Sequence, residues 1–320
     1  MTDWPWQPGA ATGIGSLPGT DIAEAVRVVL GELPEFPHLP ELPARGPGAD
    51  MIGRGAALLV ELPVELYANG WRVAARPGRD LRVARDFWER DLDALAEQAT
   101  EYSGPFKVQV AGPYTLAASV ELPTGGPLLR DHGAVRDLVA SLAEGVRGHV
   151  ADVAARLPAA SVVVQVDEPS LPAALAGTVP TESGLYTLRR VPSASVRDAL
   201  GSVVSAAGVP VIVHSCAPDV PVTLLREAGA AAVALDISLL GDLDPLGEAL
   251  DAGMGLVAGT TSDAPVRELW RRLGFPPERL PEQVVISPPC GLAGLSVADA
   301  RAAMKAARDA AQLFCRTGGE

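Results

Sequence analysis

The chain has 320 residues and a mass of 33.0 kDa, which suits one large domain or two smaller ones. Its 39 acidic and 26 basic residues give a net charge of -13, and no run of Lys or Arg offsets it, so nucleic acids and anionic membrane surfaces are poor partners. The start, MTDWPWQPG, lacks the basic and apolar regions of a secretory signal, and no segment has the roughly 18 apolar residues of a membrane helix. We therefore expect a cytoplasmic protein whose partners are small molecules or proteins.

Short β-branched runs alternate with longer segments rich in Ala, Leu, Arg and Glu along the whole chain. This alternation is typical of repeated β/α units. The predicted strands cover 11–16, 106–111, 161–167, 210–215, 231–236, 254–258 and 283–288. The predicted helices cover 20–31, 82–102, 129–156, 192–207, 218–228, 242–252, 263–273 and 296–315.

Most of these strands are continuously apolar, which predicts an α/β fold with a parallel sheet covered on both faces. No Ser/Gly-rich linker divides the chain, and the densest Pro/Gly region, 33–50, lies too early to separate two viable domains. We therefore predict a single domain over 1–320. The segment between the first helix and residue 82 reads as an elaborated βα loop, and such loops often shape active sites.

Polar residues stand at the ends of several predicted strands. In a parallel sheet these ends share one rim, so residues that are distant in sequence converge there. The residues concerned are Ser16, Asp167, Glu168, His214, Cys216, Asp236 and Cys290.

His214 and Cys216 are two positions apart, so both side chains point to the same side of an extended segment. Together with Asp236 and Cys290 they offer one nitrogen, two sulfurs and one carboxylate. This set suits zinc better than magnesium or calcium. On the residues alone, a buried Cys as a small apolar side chain and a hydrogen-bonded structural His remain open. The three cysteines, at 216, 290 and 315, argue against a disulfide framework.

Five strings, in their order and spacing, resemble the catalytic C-terminal barrel of cobalamin-independent methionine synthase. They are IGSLP at 14–18, GPYTL at 112–116, VQVDEPSL at 164–171, VHSC at 213–216 and PPCGL at 288–292. The resemblance covers most of the chain and implies a (β/α)8 TIM barrel. It also implies a zinc ion held by His214, Cys216 and Cys290, with Asp236 where the family usually has a glutamate.

The resemblance further implies an amino-acid pocket. Ile14, Gly15 and Ser16 would receive the α-carboxylate, for which backbone amides and a hydroxyl are suited. Asp167 would bind the α-ammonium group, and Glu65 is matched more loosely to a second ammonium-binding glutamate. The residues alone also allow Asp167 to be a helix N-cap and Ser16 a turn residue.

The reaction that the resemblance implies is methyl transfer to a small thiol, most simply homocysteine, which zinc activates as a thiolate. Methyltetrahydrofolate and a methylated corrinoid, the latter carried by a corrinoid protein, are both open as donors. The family's second, N-terminal half has no counterpart here. Its folate-side tryptophan is replaced by Ala-Ala-Ser-Val at 117–120, and its proton-donating histidine is missing from 259–263.

Two other functions fit the same pattern. A lyase like uroporphyrinogen decarboxylase shares the barrel, but it needs basic residues around the cavity and has no use for Cys216 and Cys290. A non-catalytic zinc- or amino-acid-binding relative is the other alternative, because the missing histidine would leave the leaving amine without its acid.

Overall fold

The computed structural model of the chain describes residues 4–68 and 70–316. Two sheets form within these residues. One is an antiparallel hairpin of β1 (Val64–Tyr67) and β2 (Gly70–Val73). The other is a parallel sheet of β3 (Pro105–Ala111), β4 (Ser161–Asp167), β5 (Val211–Ser215), β6 (Ala232–Asp236), β7 (Gly255–Gly259) and β8 (Val284–Ser287), in chain order.

Twelve α-helices occur in the described residues, and most of them connect consecutive strands. They are α1 (Ile22–Glu32), α2 (Met51–Leu58), α3 (Arg79–Ala99), α4 (Pro113–Ser119), α5 (His132–Arg156), α6 (Leu171–Ala176), α7 (Ser193–Ala207), α8 (Val222–Glu227), α9 (Asp244–Asp251), α10 (Asp263–Leu273), α11 (Leu280–Gln283) and α12 (Val297–Arg316). No helix in the described parts of the chain is long and apolar enough to cross a bilayer. The predicted α/β class is confirmed.

The early segment differs from its prediction. Residues 11–16 do not form a ladder strand: Ala11 makes one parallel bridge to Ile286 in β8, and Ser16 makes one to Glu41. Residue His38 in turn bridges Lys107 in β3. The two edges of the six-stranded sheet are thus each met by an extended segment, 10–12 at β8 and 37–39 at β3, and the chain just after these segments is joined by the Ser16–Glu41 bridge.

Alternate residues of the strands belong to two apolar clusters, one on each face of the curled sheet. Val162 and Val164 pack in the larger cluster, which the surrounding helices share. Val163 packs in the smaller cluster, with Trp6 and Phe36 among its members. Because the side-chain period of a strand is two, Gln165 and Asp167 lie on the same face as Val163. The inner face is therefore apolar at one end of the strands and polar at the carboxyl end.

Candidate functional site

Asp167 and His214 form the centre of the polar end. They are register partners at the ends of β4 and β5, and His214 Nδ1 lies 2.7 Å from Asp167 Oδ1. Both side chains are buried. With an ionised aspartate, Nδ1 carries the hydrogen and donates it, so the lone pair of the imidazole is on Nε2. His214 Nε2 is buried and has no hydrogen-bond partner among the described residues.

Gln165 connects this pair to the first extended segment, residues 10–16. Its Nε2 donates to Asp167 Oδ1 at 2.7 Å and to the Ile14 carbonyl at 2.8 Å. The predicted carboxylate-binding segment and the predicted ammonium-binding aspartate are therefore held together by one side chain. Asp167 Oδ2 makes no hydrogen bond in the described part of the structure, which leaves it available to a ligand. Asp167 is not a helix N-cap.

The two predicted zinc-binding cysteines are adjacent, with Cys216 Sγ 3.2 Å from Cys290 Sγ. The hydrogen bond from Cys216 lowers the pKa of Cys290 to about 6, helped by the Gly291 amide and by His214. The same hydrogen bond raises the pKa of Cys216, and burial adds to it. A thiolate beside a thiol is thus favoured at neutral pH, and thiolate is the form that binds metals.

The Cys290 loop also packs against the first segment. The Leu292 amide donates to the Ser16 carbonyl at 2.8 Å, and a Cβ added to Gly291 would collide with Ser16 Oγ. A Cβ on Gly15 would lie 2.8 Å from Gln109 Nε2. Glycine at both positions allows this close approach. Ile14, Gly15 and Ser16 consequently lie between the cysteine loop and the polar end of the sheet.

Asp236, the predicted fourth ligand, ends β6 and has a local role. Its Oδ1 accepts hydrogen bonds from Ser238 N at 2.9 Å and from Ser238 Oγ at 2.6 Å, capping the 3-10 turn that follows. It also lines a cavity of about 430 Å³ that Gly259, Thr260 and Pro289 border. Binding a metal would require its carboxylate to use Oδ2 or to leave Ser238.

Glu65 lies in the β1–β2 hairpin and forms an ion pair with Arg72 at 2.7 Å. A different acid, Glu41, belongs to the polar end. Its backbone bridges Ser16, its carboxylate is buried near Asp167 and Lys107, and burial raises its pKa to about 7. Sequence reasoning missed Glu41 because it stands in the proline-rich string LPELP, which predicts a loop. The available signal was the pair of apolar residues on either side of it, Leu39 and Leu42, which are both buried.

The donor chemistry fits zinc, although the ligands are not assembled. Within 4–68 and 70–316, no three His, Cys, Asp or Glu side chains are arranged to hold a metal ion. The unpartnered Nε2 of His214 and the Cys216–Cys290 pair are nevertheless the soft donors that zinc prefers, and Asp167 orients the imidazole as carboxylates do for zinc-binding histidines. Zinc at this site stays a prediction.

One of the solved structures compared with this chain shares its fold, and two others match less well. The structure of a B12-independent methionine synthase from Shewanella sp. W3-18-1, in complex with selenomethionine, matches with a TM-score of 0.59 and 14% identity, over 97% of this chain and 98% of that one. A putative lyase/mutase from Burkholderia cenocepacia J2315 matches at TM-score 0.41 and 14% identity, over 98% and 85%. A putative dihydrodipicolinate synthetase from Pseudomonas aeruginosa matches at TM-score 0.40 and 13% identity, over 97% and 85%.

No curated protein matches the chain. The family model described as "Cobalamin-independent synthase, Catalytic domain" matches residues 9–313, which includes every predicted site residue. That description gives no support to a corrinoid protein as a partner. Since the match extends over nearly the whole chain, this protein belongs to the cobalamin-independent synthase family, as a catalytic domain.

Proposed function

We propose that the chain is a zinc-dependent methyltransferase that methylates a small thiol, with homocysteine as the acceptor and methionine as the product. The observation that carries the proposal is the cysteine pair, 3.2 Å between sulfurs, on the same rim as a histidine whose Nε2 has no partner within 4–68 and 70–316. Family membership supports the same reaction class.

The metal would be held by His214 Nε2, Cys216 and Cys290. Bound zinc would keep a substrate sulfur in its thiolate form at neutral pH. Three protein ligands leave a fourth position open for that sulfur, and catalytic zinc sites commonly have this arrangement. Asp236 would occupy the fourth position only in the absence of substrate. Because Ser238 already holds its Oδ1, Oδ2 would be the ligand atom.

The amino-acid end of the substrate would lie between the first segment and β4. Asp167 Oδ2 is free to accept from the α-ammonium group, and Glu41 is a better second carboxylate than Glu65 because it lies beside Ser16 and Asp167. The backbone of 14–16 would take the α-carboxylate. Fixing both charged ends aims the thiol, and positioning of this kind lowers the barrier to methyl transfer.

We also propose that the chain folds as a single (β/α)8 barrel domain. The extended segments 10–12 and 37–39 stand at the two sheet edges, where the first two strands of a (β/α)8 barrel would stand. We take 1–320 as one such domain. In this arrangement the rim of β4, β5 and β8 is the mouth of the active site, as in other barrels.

Methyltetrahydrofolate is the donor to test first, because the family is cobalamin-independent. Release of its methyl group leaves an amine that must be protonated. Residues 259–263 contain no histidine, but Thr260 and Thr261 border the cavity beside Asp236 and could hold a water as the proton source. Methylcobalamin is the second donor, and its turnover in place of folate would reject the folate assignment.

The decisive experiment is metal analysis of the purified chain together with a homocysteine methylation assay. We expect one zinc per chain, and Cys290→Ala should remove the metal and lower activity at least about 100-fold, because a zinc ligand is lost. The matched control is Cys315→Ala, which removes the third, exposed cysteine. Stoichiometric zinc that survives Cys290→Ala would contradict the proposal.

The two alternatives make different predictions. A non-catalytic relative would bind zinc and homocysteine but turn over with neither donor, and the missing histidine is the observation in its favour. A lyase like uroporphyrinogen decarboxylase would need basic side chains for substrate carboxylates. Lys107, the buried cation nearest Gln165, already donates to three oxygens. The lyase is therefore the weaker alternative.

A further inference from the structure

Lysine is rare in this chain. Of its 26 Lys and Arg residues only two, Lys107 and Lys305, are lysines. Lys305 is exposed on α12 and pairs with Asp309. Lys107 is completely buried on β3. The sequence uses arginine at almost every other basic position. It nevertheless has a lysine on the inner face of the sheet, in contact with Gln165 of the candidate site. Unlike arginine, a buried lysine can lose its proton near neutral pH.

The Lys107 ammonium group has a partner for each of its three hydrogens. It donates to Gln165 Oε1 at 2.7 Å, to the Ile14 carbonyl at 3.1 Å and to Gln109 Oε1 at 3.3 Å. Gln165 then donates from its other end to Asp167, which orients His214. Lys107 therefore fixes which way the Gln165 amide points, and through it the position of the aspartate.

The charges around Lys107 balance before any substrate is present. Asp167 faces it from β4, and Glu41 faces it from segment 37–42 together with His38, which burial keeps neutral by lowering its pKa. Arg54 of α2 lies 3.4 Å from Glu41. Arg54 also pairs with Asp91, which Arg45 contacts as well, so three cations stand against three carboxylates in this buried space, where an extra charge is costly. Burial lowers the pKa of Lys107 to about 7, although both carboxylates oppose the shift.

We propose that Lys107 is a positioning residue that ties the Ile14 carbonyl to Asp167 through Gln165, and that its ammonium is the counter-charge which the ammonium of a bound amino acid replaces. As the substrate's ammonium group settles beside Asp167, Lys107 releases a proton to solvent. Its neutral amine keeps two donors and gives up the longest contact, to Gln109. This inference rests on the proposed function only in taking an amino acid as the substrate.

Lysine labelling tests the inference on the intact, zinc-loaded chain. Because only two lysines exist, ¹⁵N,¹³C-lysine gives two side-chain signals, and exposed Lys305 serves as the internal reference. At pH 6 we expect Lys107 to be protonated without substrate and to shift to the neutral form with saturating homocysteine. A Lys107 signal that does not move while homocysteine binds would overturn the inference.

A substrate analogue separates this inference from the proposed function. The compound 4-mercaptobutyrate has the thiol and carboxylate of homocysteine but no ammonium group. We expect it to bind without shifting the Lys107 signal, and an equal shift with both compounds would reject the counter-charge role. If homocysteine neither binds nor is methylated, the proposed function fails. If it is methylated while Lys107 stays protonated, only the present inference fails.

Proton counting by calorimetry in buffers of different ionisation enthalpy identifies the group. On the zinc-loaded chain we expect release of about two protons per homocysteine in the parent chain and in the control Lys305→Met, one from the thiol that zinc would hold as a thiolate and one from Lys107, and only about one in Lys107→Met. Glu41 is the other group that could release a proton, so Glu41→Gln is measured as well. A second proton that persists in Lys107→Met but disappears in Glu41→Gln would assign it to Glu41 and overturn the inference. If Lys107→Met does not fold, the labelled parent chain still decides the question.

Discussion

At the scale of single residues, the Asp167–His214 contact decides which imidazole nitrogen can bind a metal. Ionised Asp167 keeps the hydrogen on Nδ1 and the lone pair on Nε2. Asn in its place would present a side chain that also donates, so the tautomer would no longer be fixed. The carboxylate therefore acts on the metal site through the histidine, in addition to its proposed contact with the substrate.

We predict that Asp167→Asn lowers zinc affinity about 10- to 100-fold, as is usual when the carboxylate partner of a zinc-binding histidine is removed. Competition with a chromophoric chelator measures the affinity, and imidazole ¹⁵N shifts of His214 report the tautomer. Asp137→Asn, at an exposed position on α5, is the control. Unchanged affinity in Asp167→Asn would mean that His214 does not bind the metal.

The site residues were predictable to different degrees. His214, Cys216, Asp167 and Cys290 were predicted because each follows a continuous apolar run, and a strand end gives its neighbours a known direction. Gln165 and Lys107 were not found, since a polar residue inside an apolar strand does not reveal which face it occupies. Their roles depend on the side chains across the sheet, which only the register supplies.

At the scale of elements, Glu168 shows how a strand end fixes the neighbouring helix. Its carboxylate accepts from the amides of Tyr114 and Thr115 at 2.9 and 2.8 Å, and from Thr115 Oγ1 at 2.8 Å. These amides belong to the first turn of α4, where helices lack internal acceptors. The conspicuous pair DE in VQVDEPSL is thus divided: one acid faces the site, and the other caps a helix.

Removal of this cap should destabilise the fold. We predict that Glu168→Ala lowers the free energy of unfolding by about 1–3 kcal/mol, because buried donors lose their acceptor. Urea unfolding followed by circular dichroism measures it. Glu97→Ala, exposed on α3, should change the same quantity by less than about 0.5 kcal/mol. Equal effects of the two substitutions would show that the cap contributes nothing.

The segment before α3 was the least predictable part. The β1–β2 hairpin and α2 were not predicted: α2 contains Gly53 and Gly55, which lower helix propensity, and a two-stranded hairpin has little apolar pattern. Tertiary contacts compensate, since Arg54 of α2 pairs with Asp91 of α3 and stacks 3.8 Å from the Trp88 ring. Longer helices such as α5 and α7 were predicted to within a few residues at each end because their pattern extends over several turns.

At the scale of the whole molecule, buried histidines make stability depend on pH. His149 packs in the core against Trp88, with ring centroids 4.3 Å apart, and burial lowers its pKa from 6.5 to about 3. As the pH falls below 6.5, His149 becomes protonated in the unfolded chain but stays neutral in the native chain. The free energy of unfolding therefore decreases until the pH reaches about 3.

We predict that His149→Phe makes the free energy of unfolding less sensitive to acid. The free energy of unfolding of the variant should rise relative to that of the parent chain by up to about 1.4 kcal/mol for each pH unit below 6.5. The difference should stop growing once the pH is below about 3. Urea titrations at several pH values between 7.5 and 4 give the difference. His132→Asn, on the exposed start of α5, should run parallel to the parent chain. Parallel curves for His149→Phe would show that His149 does not contribute.

The contacts of the first extended segment also govern when the chain can fold during its synthesis. Trp6 Nε1 donates to the Glu282 carbonyl 276 positions later, and Thr12 donates to Ile286. A nascent chain that emerges from the ribosome therefore exposes Trp6 and its neighbours until almost all of the sequence has been made. Contacts so distant in sequence slow folding and leave apolar surface open to aggregation. The arrangement that brings the cysteine loop beside the first segment thus cannot form until the last strand of the sheet has been made.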